Sequence, residues 1–255
     1  MAALVAFREG DYRDGSRELL GMKQQAWLAD GLKRSASAGK PWQVLVQQVL
    51  MGNLVTAPRL TEGLPADLPA YIRQRILAGA MAGRAELPLN MDAWDGYPAA
   101  RERVFRAALD ANANLISLAG DTHNAWAFDL DHAGEKVGVE FGVQGVTSPG
   151  LESYASYLPV DVLERETVAH NRQLKWMDGS RRGYMAVELT PASASSEFRF
   201  VSSVREKGAG VNDTRRVSTQ AGSRALDMGG EPLRPHLMCR PCPTRASSRP
   251  TPALR

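Results

Sequence analysis

The sequence lacks several features that mark whole classes of protein. It has no apolar run long enough to span a bilayer. Its first residues, MAALVAFREGDYRD, carry charges where an export signal would have an uninterrupted apolar stretch. A net charge of +3 over 255 residues is too small to indicate a protein whose main role is binding nucleic acid. The hydrophobic fraction of 44% indicates instead a globular chain with a sizeable core.

Acidic residues are missing from the end of the chain. After Glu231 only arginine carries charge, among serine and proline and without apolar periodicity, which is typical of a disordered terminus; a polyanion-binding tail is the alternative. We predict one domain over residues 1–222 and a disordered basic tail over residues 223–255 that packs on nothing. The two cysteines, Cys239 and Cys242, lie in this tail without a second pair to complete a zinc site, so we interpret them as incidental.

Helical periodicity alternates with aliphatic runs along the chain. The predicted helices cover residues 22–35, 68–81, 98–111 and 160–171. The predicted strands cover residues 42–51, 115–119, 125–130, 137–147, 184–189 and 197–204. Helix–strand alternation followed by hairpins predicts a layered α/β or α+β domain.

The most informative segment for chemistry is Gly120-Asp-Thr-His123, which directly follows a short buried strand. If the loop is extended, Asp121 and His123 point the same way, beyond the carboxyl end of the strand where ligands bind in α/β sheets. A carboxylate and an imidazole together suit a hard or borderline metal cation, and Gly120 leaves room for an ion. A D-x-H spacing is also common in exposed ion pairs and capped loops, so that alternative stays open.

Other candidate groups carry weaker signals. Of the four histidines, His132 lies in a predicted turn, His236 in the tail and His170 at a helix end, where solvated side chains are the ordinary interpretation. A serine hydrolase is the rival enzyme class, because Ser148 stands between glycines. The segment is not G-x-S-x-G, however, and Pro149 lacks the N–H that an oxyanion hole would use there.

Six segments together resemble the PhoD-like phosphatases, the alkaline phosphatase D family, in order and spacing over residues 12–220. The family patterns are R-x-L-L-G-x-x-Q-x-x-W-L with the strand that follows it, W-x-G-Y-x-x-x-R, G-D-x-H, T-S-P-G and R-G-Y. The matching segments here are residues 17–28, 41–52, 94–101, 120–123, 147–150 and 182–184.

The resemblance implies a calcineurin-like metallophosphoesterase, with two packed β-sheets and helices outside. It implies hydrolysis of phosphate monoesters and diesters with calcium and ferric iron, or with another metal pair, in a protein that is exported. The G-D-x-H match implies that Asp121 and His123 are metal ligands and catalytic residues. The residues implied to line the substrate pocket are Asn124, Trp126, Gln48, Trp94, Tyr97 and Ser148.

The sequence departs from the family at its other metal motifs. G-D-x-x-Y and D-D-H-E have no counterpart, and Gly10-Asp-Tyr12 matches a later family segment instead. We therefore expect this chain to be the C-terminal part of the domain, an incomplete β-sandwich whose missing N-terminal half supplies the other ligands and further strands. A catalytically inactive remnant, or a subunit that binds a metal or a partner, is the alternative.

Overall fold

The computed structural model of the protein describes residues 1–229 as an arrangement of helices and two sheets. The α-helices are α1 (Ala2–Glu9), α2 (Met22–Ser37), α3 (Ala70–Arg84), α4 (Pro98–Asp110), α5 (Leu151–Tyr154) and α6 (Val160–His170). The strands are β1 (Gln43–Gln47), β2 (Leu115–Ala119), β3 (Ala125–His132), β4 (Glu135–Gly142), β5 (Leu174–Asp178), β6 (Gly183–Leu189), β7 (Ser193–Val201) and β8 (Val211–Gln220). In this part of the chain, every helix is too short or too polar to cross a membrane.

The larger sheet is mixed, in the order β1-β2-β4-β3-β5. Strands β1, β2 and β4 run parallel, and β3 is antiparallel to both β4 and β5. The carboxyl ends of β1, β2 and β4 therefore meet at one edge of the sheet. The smaller sheet is an antiparallel meander in the order β6-β7-β8.

Side chains alternate between two cores because successive residues of a strand face opposite sides of the sheet. In β3, Ala125 and Ala127 face the smaller sheet, where they join the core that contains Phe198 of β7. Trp126 and Phe128 face the other way, into the core that the helices cover. The result is three layers, with helices over one face of the large sheet and the small sheet over the other.

Helix α4 shows how the sequence sets an element. Pro98 is its first residue, where a missing N–H costs nothing. Val104, Phe105 and Ala108 form its buried face against the sheet. The helix ends in a Schellman motif: Asn112 adopts φ 51°, and the N–H of the next residue reaches back to the Ala108 carbonyl at 2.9 Å.

The predicted class is confirmed, as are the long helices and the hairpins, but some strands are shorter than expected. β1 ends at Gln47 rather than at residue 51, because the backbone N–H groups of Met51 and Gly52 bind the buried Glu140 carboxylate instead of a neighbouring strand. β4 likewise ends at Gly142 rather than at residue 147. The residues that follow these two strand ends form the loops at the carboxyl edge of the sheet.

Two strands were not predicted at all, β5 and β8. β8 reads as polar because most of its side chains are exposed; only Val217 and Thr219 are buried. The segment 190–196, predicted as a loop, is half strand, since β7 begins at Ser193 and buries the small side chain of Ala194.

The prediction that the chain packs on nothing after residue 222 is wrong for residues 223–229. Leu226 and Met228 pack against the core between the sheets. The Leu226 N–H donates to Asp129 at 2.7 Å, and Asp227 exchanges backbone hydrogen bonds of 2.7 and 3.0 Å with Ser218. The remainder of the predicted tail, including both cysteines and His236, lies outside the described residues.

Strand β1 forms an open edge of the large sheet. Of the described strands, β1 pairs only with β2. Val44 and Val46 lie on the face that the small sheet covers further along, yet their exposed fractions are 38% and 76%. An edge strand with an exposed apolar face offers both backbone hydrogen bonds and apolar surface to another chain segment.

Candidate active site

The candidate site lies where β1, β2 and β4 end together. Gln48 directly follows β1, and Asp121 and His123 follow β2 through Gly120. Ser148 lies in the loop after β4, and a Cβ placed on Gly145 of that loop would contact both Ser148 and the His123 backbone. The expected position at the carboxyl edge of the sheet is therefore observed.

The loop that carries Asp121 and His123 is not extended, contrary to the sequence-based expectation. Both residues adopt left-handed backbone conformations, with φ of 47° and 61°. Aspartate and histidine tolerate this region better than most residues, but it still costs free energy. Two such residues separated by one position turn the backbone sharply, and it is this turn, rather than strand alternation, that brings the two side chains together.

Asp121 Oδ1 lies 3.9 Å from His123 Nε2. The side chains are 57% and 43% exposed, so both reach solvent at the sheet edge. This separation is smaller than the sum of two ligand bonds of roughly 2–2.6 Å each, so one cation can contact both atoms. The pair thus fits a metal ion with respect to donor type and spacing.

A hydrogen bond at the other ring nitrogen of His123 fixes the orientation of the imidazole. Nδ1 lies 3.0 Å from the carbonyl oxygen of Pro149. Because a carbonyl oxygen only accepts, Nδ1 carries the hydrogen, which leaves Nε2 as the ring nitrogen that can bind a metal ion. Backbone carbonyls hold metal-binding histidines in this manner. Asp121 is oriented in turn by Gln48, whose Nε2 donates to Oδ2 at 3.1 Å.

The loop that supplies the Pro149 carbonyl is itself held from two sides. Asn124 is buried, and its Oδ1 accepts the Leu151 N–H at 3.1 Å. The buried Arg182 forms an ion pair with Glu152. Position 150 is tightly enclosed, because a Cβ there would lie 2.3 Å from Asn124 Nδ2 and something would have to shift.

A buried polar chain holds the loop after β1. Trp94 Nε1 donates to Gln47 at 2.9 Å, and Gln47 Nε2 donates to the Ser117 hydroxyl at 3.1 Å. The hydroxyl donates to Glu140 at 2.8 Å. The Glu140 carboxylate also accepts the Met51 N–H at 2.8 Å, so the loop is fixed to the middle of the sheet.

Glu140 is fully buried in β4. Burial raises its pKa from 4.5 to about 7, while the hydrogen bonds that it accepts lower the pKa. Glu140 therefore keeps its proton at pH values where an exposed glutamate is ionised.

Two residues expected to line the pocket pack against the helix-side core instead. Trp94 is 2% exposed and packs in the helix-side core. Tyr97 packs against the same core beneath the guanidinium of Arg17, which lies 4.7 Å from the ring centroid. The W-x-G-Y-x-x-x-R pattern holds this corner together, since Arg101 binds the buried Asp95 carboxylate at 2.7 Å.

A cavity of about 170 Å³ opens beside Asp121. Asn124 and Trp126, both expected near the substrate, contribute to its wall. Gln48 and Ser148 lie close to the two candidate ligands rather than in the wall. The apolar part of the wall consists of Val49, Leu50, Leu54, Leu89, Ala93, Trp126 and Leu151.

Sequence reasoning missed Glu140, the Glu152–Arg182 pair and the Pro149 carbonyl. A carboxylate inside the apolar run of β4 was a signal for Glu140. The contact of the Pro149 carbonyl with His123 involves the backbone, so no residue type in the sequence indicates it. Across residues 1–229, no three side chains from histidine, cysteine, aspartate and glutamate come together as a metal cluster.

Comparison with known proteins decides the family. A family model for PhoD-like phosphatases matches residues 4–198. The chain belongs to the PhoD-like phosphatase family. Alkaline phosphatase D of Bacillus subtilis (strain 168) is 30% identical over 206 residues, which cover 78% of this chain and 30% of that protein.

A solved structure titled "Structure of PhoD" resembles the PhoD-like chain with a TM-score of 0.62 and 24% identity. The similarity covers 86% of this chain and 37% of that one, and it confirms the fold. The chain thus spans about a third of the length of the PhoD-like proteins that it matches.

Proposed function

We propose that this chain contributes to a metal-dependent phosphoester hydrolase of the alkaline phosphatase D type, acting on phosphate monoesters or diesters. The observation that carries the proposal is the pair Asp121 and His123, 3.9 Å apart at the carboxyl edge of the sheet, with His123 oriented by the Pro149 carbonyl. Family membership supports phosphoester chemistry.

The proposed reaction is hydrolysis. The oxygen of a water molecule attacks phosphorus, the P–O bond to the alcohol breaks, and the alcohol oxygen takes up the proton that water loses. A bound metal pair, calcium with ferric iron or another combination, would screen the charge of the phosphoryl group and lower the pKa of water. Asp121 and His123 would hold metal, and Gln48 would orient Asp121 through their 3.1 Å hydrogen bond.

The remaining metal ligands are proposed to come from a polypeptide outside these residues, equivalent to the N-terminal half of a PhoD-like protein. Two side chains give only part of the ligand set that a two-metal site needs. The exposed edge of β1 supports this idea, because added strands would pair there and cover Val44 and Val46. Alone, the chain would hydrolyse phosphoesters poorly.

The test compares the lone chain with the same chain joined to the N-terminal half of a PhoD-like relative. Hydrolysis of nitrophenyl phosphate monoester and diester is measured with calcium and iron present. We expect turnover from the fusion and its loss in Asp121→Asn and His123→Ala. The exposed His170 provides a matched control, and His170→Ala should retain activity.

Two outcomes contradict specific parts of the proposal. Fusion activity that survives His123→Ala would remove His123 from the catalytic site. Full activity of the lone chain, lost in His123→Ala, would show that the site needs no second segment. The alternative, a metal-binding subunit without catalysis, predicts calcium or iron binding that requires Asp121 and His123 but no turnover by the fusion.

A further inference from the structure

The cavity beside Asp121 has a wall that suits an uncharged, apolar occupant. Its apolar side chains come from the loop after β1, from Leu89 and Ala93, from β3 and from the start of α5. Trp126 is 2% exposed and Leu50 8%, so the inner wall is fixed by the surrounding core. The side toward Leu89, Asn90 and Asp121 is open to solvent, since these three residues are exposed.

The polar groups of the wall are largely occupied by partners within the protein. The Asp95 carboxylate accepts from Leu54 and Arg101, at 3.0 and 2.7 Å. The Thr122 hydroxyl accepts from Trp126 Nε1 at 2.6 Å. The Asp95 carboxylate therefore has little capacity left for a polar ligand, while the Thr122 hydroxyl keeps its own hydrogen as a donor.

Asn124 differs from the other polar groups in the wall. Its Oδ1 accepts the Leu151 N–H, whereas its Nδ2 is buried and has no hydrogen-bond partner among the described residues. A buried donor without a partner costs free energy, and this one has almost no accessible surface, so it belongs to the tightly packed part of the wall. The wall is thus mainly apolar on its inner side, and its exposed polar residues, Asn90 and Asp121, lie at the mouth.

We propose, on the basis of the function proposed above, that this cavity binds the alcohol part of the phosphoester and that it selects a ring-sized or branched apolar group. The phosphoryl group stays at the mouth beside Asp121, because an anion loses its hydration against an apolar wall. The volume of about 170 Å³ is close to that of a dry protein cavity, on the order of 150 Å³, that accepts benzene.

Binding measurements test the cavity without requiring turnover. Phenylphosphonate and methylphosphonate share one anionic head and differ only in the group that would enter the cavity. Each is titrated calorimetrically into the full chain with calcium present, and phenol binding is followed separately by ligand-detected NMR. We expect phenylphosphonate to bind at least about tenfold more tightly than methylphosphonate, from burial of the ring.

Variants locate the effect in the cavity. Ala93 is a buried wall residue, so Ala93→Val fills the space and should remove the advantage of the phenyl group while leaving methylphosphonate unchanged. Ala186→Val, on β6 of the smaller sheet, is the matched control and should keep the advantage. Leu89→Ser at the exposed rim provides a second variant that does not disturb the core, with an expected loss of a few-fold in phenylphosphonate affinity.

The outcomes separate the two proposals. Phenol binding that Ala93→Val abolishes supports the cavity even when neither phosphonate binds, because the lone chain holds only part of the proposed metal site. The proposed phosphoester site is contradicted separately, by a fusion that shows no turnover. Equal affinities for the two phosphonates, together with no phenol binding, would overturn the inference and leave the cavity to water. An advantage of the phenyl group that persists in both Ala93→Val and Leu89→Ser would overturn it as well.

Discussion

The Glu140 carboxylate accepts the backbone N–H of Gly52 at 2.8 Å, although the two residues are 88 positions apart in the chain. This contact ends β1 and fixes the loop from which Gln48 reaches Asp121. Glu140, in the middle of the sheet, therefore helps to determine the geometry at the sheet edge. The ionisation of Glu140 should be measurable as a change in the free energy of unfolding.

The first prediction concerns Glu140 and pH. Its pKa is raised to about 7 in the folded protein and is near 4.5 in the unfolded chain. Between these values the unfolded chain releases a proton that the folded protein keeps, so stability falls as pH rises from about 4.5 to 7 and then levels off. The loss from this group is on the order of 3 kcal/mol.

Glu140→Gln removes this titration while keeping the shape of the side chain. Urea unfolding at pH 5 and pH 8 should show a smaller change in stability for the variant than for the unchanged protein. The comparison is needed because burial also raises the pKa of Glu164, to about 8, in an overlapping range. Parallel pH profiles for the two proteins would refute the assignment to Glu140.

The second prediction concerns Gly150. Gly150→Ala places a methyl group 2.3 Å from Asn124 Nδ2, so the loop must move. We expect a loss of about 1–3 kcal/mol in the free energy of unfolding. Gly15→Ala is the control, since nothing lies within 4 Å of its added Cβ, and it should leave stability unchanged or slightly raised.

A double-mutant cycle then assigns the cause of that loss. Asn124→Ala removes the atom that the methyl group meets, so the double variant should be more stable than the sum of the single losses predicts, by about 1 kcal/mol. Additive losses would mean that Gly150 is needed for a reason other than this contact.

The third prediction concerns the open edge of β1. Val46 is 76% exposed there, and Val46→Lys places a charge on the edge. We expect the unchanged chain to self-associate through this edge, and sedimentation velocity should show less association for the variant, with the free energy of unfolding within about 0.5 kcal/mol of the original. Val211→Lys, on the edge strand β8 of the smaller sheet, adds the same charge elsewhere. If it suppresses association equally, net charge rather than the β1 edge is responsible.

The fourth prediction replaces the expectation that the chain packs on nothing after residue 222. A chain ending at residue 222 loses Leu226 and Met228 from the core between the sheets. Its melting temperature should be about 5–10 °C below that of a chain ending at residue 229, from a loss of roughly 2–3 kcal/mol. Equal melting temperatures would show that these contacts add no stability.

Much of the fold could be predicted because core-facing residues follow regular spacings. The buried run of β2 and the face of α4 both appear directly in the sequence. β8 could not be predicted in this way, because it is stabilised by pairing with β7 along its length rather than by its own apolar side chains. Leu226 and Met228 were missed because two apolar residues are too few to make a pattern.

The candidate site could be predicted in its residue types but not in its geometry. The order strand, glycine, aspartate, histidine indicated Asp121 and His123. Their left-handed backbone was not foreseen, since aspartate and histidine adopt extended conformations more often than this one. The same holds for the Pro149 carbonyl, because the sequence of a loop does not state which of its oxygens faces a histidine.

The ion pair of Arg182 with Glu152 connects the smaller sheet to the candidate site. Arg182 precedes β6, and Glu152 follows the loop whose Pro149 carbonyl orients His123. The smaller sheet therefore helps to position the His123 imidazole as well as covering the core. Exchanging that sheet for one from another protein would misalign His123 without altering any residue that contacts it, so engineering of this scaffold should transplant the sheet and the loop as one unit.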